Sequence, residues 1–163
     1  MIRLLHILLL ATSLLLSCVY EPAENPDSLQ SQDWFRYDTS QFAVDFPATP
    51  TFQELPFDTL VQYSIAALHN ETLFHLTYTD HAEPIEPVIA YHTATTMPGN
   101  YGARLVQLAG KQALAYSHIQ NKIMGHSVLL PLGKRLYVLS ATSKRVIDEE
   151  SWIRFKQSFQ IKE

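Results

Sequence analysis

Seven histidines and one cysteine are the residues of this chain best suited to ligation or acid–base work: His6, His69, His75, His81, His92, His118, His126 and Cys18. A zinc site gathers three or four such ligands in one place. No His-x-x-x-His or His-Glu-x-x-His spacing occurs here. One pair can be judged by strand parity. If Asn121-Lys122 is a two-residue turn, Gln120 pairs with Ile123, His118 with Gly125 and Ser117 with His126. His118 and His126 then point to opposite faces, whereas a three-residue loop would bring them to the same face. Serine, histidine and acids are all present, but the Gly-x-Ser-x-Gly elbow of a serine hydrolase is not. Asp38, Asp45, Asp58 and Asp80 could supply a carboxylate pair for hydrolysis, and are read instead as loop caps. Five glycines, none in phosphate-loop spacing, leave no nucleotide motif. Asn70-Glu71-Thr72 matches a glycosylation sequon and is read as a turn. Phe57, Tyr91 and Tyr101 are expected at the core edge, with a binding face as the alternative. No catalytic, cofactor-binding or metal-ligating residue is therefore assigned. The residue to which chemistry is assigned is Cys18.

The stretch before Cys18 explains that assignment. Arg3 and the α-amino group make a short positive region, and Leu4 to Leu16 is apolar apart from His6, Thr12 and Ser13. A bilayer-spanning helix needs about 20 apolar residues. This run is shorter and meets Glu21, Pro22 and Pro26, so residues 1–17 read as an export signal with Ser17 before the cut. Leu15-Leu16-Ser17-Cys18 resembles the lipobox of bacterial lipoproteins. The resemblance implies that Cys18 is lipidated and becomes the mature N-terminus. It implies a membrane partner through the lipid. Val19, rather than Asp, after the cysteine favours the outer over the inner membrane. Lipoproteins carry two or three chains, and two are enough for stable attachment.

Composition narrows the rest. The chain has 163 residues and a formal net charge of −4. Residues 1–17 hold one charged side chain, Arg3, so its removal takes the balance from −4 to −5. A mildly acidic chain without a basic cluster argues against nucleic acid and against a polybasic grip on anionic lipid. With its single cysteine claimed by lipid, the domain has no intrachain disulfide. It is expected to be a monomer held by packing.

Residues 18–33 read as a flexible linker: Pro22 and Pro26, four acids, no base and no apolar periodicity. Residues 34–163 read as one globular domain. Phe42, Val44 and Phe46 alternate as in a strand with one buried face. A loop containing Pro56 leads to a hairpin of Thr59–His69 and Thr72–Thr79, in which Phe74, Leu76 and Tyr78 alternate with His75, Thr77 and Thr79. Residues 86–96 read as a short helix with Pro87 in its first turn, a strand being the alternative. Strands follow at 104–108, 111–120, 123–130 and 135–143. Leu136-Tyr137-Val138-Leu139 is apolar on both faces, which places the last of these centrally. Asp148 caps a final helix whose Trp152, Phe155 and Phe159 share one stripe, and Ile161 closes the core.

The order of these motifs resembles the PsbP-like superfamily, named for an extrinsic subunit of photosystem II. The residues that carry it are Phe42-Ala43-Val44-Asp45-Phe46-Pro47, the central hairpin, Gly110-Lys111-Gln112-Ala113-Leu114-Ala115-Tyr116, Arg135-Leu136-Tyr137-Val138-Leu139-Ser140 and Trp152-Ile153-Arg154-Phe155. The resemblance covers residues 34–161. It implies an α+β fold, an antiparallel β-sheet with helices packed on it as an α/β/α sandwich. It also implies an accessory or binding role without a shared active site. The expected function is a non-enzymatic, lipid-anchored cell-envelope protein that supports a partner protein. The alternatives are a histidine-using metal- or small-ligand-binding domain and, last, a hydrolase without a recognisable motif.

Overall fold

The computed structural model describes residues 34–57 and 60–162. The export signal, Cys18 and the linker lie outside them. Seven strands form one antiparallel sheet: β3 (Thr51–Phe57), β4 (Leu60–His69), β5 (Thr72–Asp80), β6 (Asn100–Leu108), β7 (Lys111–Gln120), β8 (Ile123–Leu132) and β9 (Arg135–Ser143). Their order across the sheet is β3-β4-β5-β9-β8-β7-β6, so β9 is the middle strand. Its doubly apolar sequence belongs there, because a central strand is covered on both sides. A smaller sheet sets β2 (Phe42–Phe46) between β1 (Phe35–Asp38) and β10 (Gln160–Ile161). Helices α1 (Pro87–Thr96) and α2 (Glu149–Ser158) complete the described residues. No helix among these residues is long and apolar enough to cross a membrane. The architecture is α+β and mostly antiparallel sheet.

Two-residue turns set the register. Asn70 and Glu71 join β4 to β5, and Asn121 and Lys122 join β7 to β8, all four with positive φ. Two consecutive left-handed residues match the twist of a two-residue hairpin. Gln120 accordingly pairs with Ile123 and Ser117 with His126, as the two-residue alternative requires.

The large sheet packs on both sides. One face carries Phe74, Leu76, Val128, Leu130 and Leu139 against Phe42, Phe46, Trp152, Phe155 and Phe159 of the small sheet and α2. Phe46 and Phe74 each meet the Phe155 ring, with centroids 5.0 and 5.7 Å apart. Helix α2 starts cleanly because the Asp148 carboxylate accepts from the Ser151 N–H, satisfying one of its free donors. The opposite face carries Leu114, Leu129, Leu136 and Val138 against Ala90 and Ala94 of α1.

Three expectations change. The segment with Pro56 is not a loop: Thr51–Phe57 pairs along its length with β4. It is an edge strand, where a proline removes no ladder bond on its outer side, and its exposure erased the alternation. The strand expected at 104–108 begins at Asn100, interrupted by a bulge between Tyr101 and Arg104. The strand expected to stop at Leu130 runs through Pro131 to Leu132. Residues 87–96 form the short helix expected there.

Candidate functional site

On the α1 side of the sheet, a polar band crosses strands whose other face is core. Tyr116, Ser127, Ser140 and His75 stand opposite one another on β7, β8, β9 and β5. All four are buried. Burial pushes the Tyr116 phenol up to about 12, with Ser127 across the strand pulling it the other way. At the far end, Ser64 Oγ lies 2.7 Å from His75 Nε2. Desolvation pushes the His75 imidazole down to about 4, so the ring is neutral near pH 7 and has one donor and one acceptor nitrogen. One step along β4, Gln62 is 1% exposed. Neither its Oε1 nor its Nε2 has a hydrogen-bond partner.

Such a band can bind more readily than it can catalyse. A general base works best with a pKa near the working pH, and His75 is far below it. Ser64 sits inside β4, flanked by β3 and β5, where strand N–H groups serve the ladders. The Gln62 carboxamide offers two acceptor sites and two N–H donors in a dry setting, and an unpaired buried amide is costly.

The structure separates the other histidines. His118 lies beside Tyr116 on this same face, with Nδ1 buried and unpartnered. Burial, then the charge of His126, holds its pKa below the usual value. His126 lies on the α2 face. His69 is at the β4–β5 turn, 2.9 Å from Asn70 Nδ2. His81 is 3.2 Å from Thr79 Oγ1, and His92 is exposed on α1. Among the described residues no group of three or more His, Cys, Asp or Glu is placed to hold a metal. Asp38, Asp45 and Asp80 are not loop caps but partners of Lys162, Arg36 and Arg135. Tyr91 donates to the Gln112 carbonyl, and Tyr101 is exposed.

No family model matches the chain, and no curated protein matches it significantly. Nine solved chains do match. A crystal structure from Bacteroides thetaiotaomicron is similar over 75% of this chain, with 8% identity and a TM-score of 0.48. The chain spans only 45% of that protein's length. LpqN, described as involved in cell envelope biogenesis of Mycobacterium tuberculosis, is similar over 70% of this chain and 84% of its own, with 16% identity and a TM-score of 0.38. The functional reading therefore rests on the residues.

Sequence reasoning missed two groups. Gln62 and Ser64 were absorbed into an apparently ordinary strand. The second is a chain of contacts on the α2 face: Ser117 Oγ lies 2.9 Å from His126 Nδ1, and His126 Nε2 lies 2.8 Å from Glu149 Oε1. The parity of β7 and β8 already brought Ser117 and His126 together. Nothing local pointed to Glu149.

Proposed function

We propose that this chain is an exported envelope protein anchored by lipid on Cys18, with a PsbP-like domain that serves as a binding or accessory module. Its ligand site is the polar band of Gln62, Ser64 and His75. The single observation that supports this is the Gln62 carboxamide, buried with both polar atoms unbonded. The band contains no ionised side chain: His75 is neutral and its neighbours are hydroxyls. A charged ligand would find no counter-ion and would bear its full desolvation cost. The fitting ligand is small, neutral and rich in hydroxyl or amide groups.

The test has two arms. Cys18→Ser should abolish incorporation of an alkyne-tagged fatty acid and release the protein from the membrane fraction. Continued labelling of that variant removes the anchor from the proposal. For the site, ¹⁵N-labelled protein in detergent micelles is titrated with neutral amides and polyols. The Gln62 side-chain NH₂ signals should shift with saturation. Unmoved Gln62 signals across the panel remove the binding role.

A further inference from the structure

The second histidine constellation lies on the opposite face and is independent of the polar band. Ser117 on β7 and His126 on β8 are directly opposed across the hairpin. Glu149, in the first turn of α2, reaches the same imidazole from the other side. A carboxylate accepts only, so the bond to Glu149 places the ring proton on Nε2. That leaves the Nδ1 lone pair aimed at the Ser117 hydroxyl, 2.9 Å away. The Trp152 ring lies nearly parallel to the imidazole, with centroids 6.3 Å apart, which limits how the ring can turn. A nucleophile, a base and a group that orients the base are the three parts of an activated serine. The ring nitrogens are exchanged relative to the commoner arrangement.

The surroundings suit an apolar acyl group. Two residue pairs beyond Ser117 and His126, on the same face, stand Ile119 and Met124, which are 50% and 37% exposed. Tyr101 is the partner of Ser117 on β6 and is 52% exposed. The bulge after Tyr101 leaves Gly102 and Ala103 outside the ladder, and a side chain at Gly102 would meet nothing within 4 Å.

We propose that Ser117, His126 and Glu149 form an esterase site for carboxylic esters with a short apolar acyl chain. His126 Nδ1 takes the Ser117 proton as Oγ bonds to the acyl carbon. The tetrahedral adduct collapses, the ester C–O bond breaks, and the leaving alkoxide takes that proton and departs as an alcohol. Water then attacks the acyl-serine with His126 again as base. The acyl–Oγ bond breaks, the proton returns to Oγ, and the acid is released.

The test uses full-length protein in detergent micelles with p-nitrophenyl acetate and butyrate, and an alkyl fluorophosphonate probe mapped by peptide mass. The probe should label Ser117. Ser117→Ala should lower kcat/KM by about 10²-fold or more, the usual scale of base-assisted catalysis. Butyrate should be preferred over acetate, and Ile119→Ser with Met124→Ser should flatten that preference. Glu149→Gln should lower kcat with little change in KM. Equal hydrolysis by wild type and Ser117→Ala, or a probe that leaves Ser117 unlabelled, overturns the proposal. Should Ser117→Ala fail to fold, labelling of the wild-type protein decides.

Discussion

The imidazole of His118 occupies the space that a side chain at Gly125 would need. The two residues face each other across the β7–β8 hairpin, and a Cβ on Gly125 would stand 2.2 Å from the ring. Thr142 Cγ2 would be 2.9 Å away. Gly125 is thus required by packing and not by a left-handed backbone. Gly125→Ala should cost about 1–3 kcal/mol, the usual range for overpacking. His118→Ala combined with Gly125→Ala should recover much of that loss. Urea midpoints of the single and double variants measure it, and a double variant no better than Gly125→Ala would refute the account.

Phe155 is fully buried between Phe46 and Phe74, while Gln157 on the same helix is exposed. Phe155→Ala should cost about 3–5 kcal/mol, a large part of a domain's 5–15 kcal/mol. Gln157→Ala should change stability by less than about 0.5 kcal/mol. Lys156 is the poorer control, because its Nζ lies 5.6 Å over the Trp152 ring. Equal midpoints for Phe155→Ala and wild type would show that α2 is not packed through this residue.

Gln62→Leu should have opposite effects on stability and binding. Replacing an unpaired buried amide with a similar apolar group removes a penalty of about 1–3 kcal/mol. The variant should therefore unfold at higher urea than wild type and lose the response to neutral polar ligands. Lower stability for Gln62→Leu would mean that the amide is satisfied in solution.

His75 should make the fold acid-sensitive. Burial holds its folded pKa near 4, below the ordinary value of 6.5. Between these values the unfolded chain binds a proton and the folded one does not, so stability falls as pH drops from about 6.5 towards 4. The loss is on the order of 3 kcal/mol. His118 and His81 are shifted the same way by burial and add to the slope. Urea denaturation of wild type and His75→Gln at pH 7 and pH 4.5 compares the two slopes. The variant should be distinctly flatter. Identical slopes would mean that His75 is solvated.

The sequence disclosed what burial on two faces writes into a strand. Leu136–Leu139 marked β9 as central, and Asn121-Lys122 marked the hairpin that puts His118 and His126 on opposite faces. The stripe of Trp152, Phe155 and Phe159 marked α2. Edge strand β3 was hidden, because Phe52, Gln53 and Glu54 are all exposed and leave no alternation to read. The polar band was hidden for the opposite reason. Alternation of His75, Thr77 and Thr79 with Phe74, Leu76 and Tyr78 looks like a solvated outer face, yet all three polar residues are buried. Glu149 was hidden because its partners lie 23 and 32 positions upstream, on strands whose distance from α2 only the tertiary fold sets.

The small sheet closes late in the chain. Gln160 and Ile161 pair with Ala43 and Phe42, and the Lys162 N–H donates to the Gln41 carbonyl. Contacts of such long sequence separation form slowly, since loop closure precedes any reward. A chain emerging from its N-terminus would have Phe42–Phe46 without its second partner until synthesis reached Gln160 and Ile161. The small sheet thereby ties the first described strands to the last, with β2 as the strand that both share.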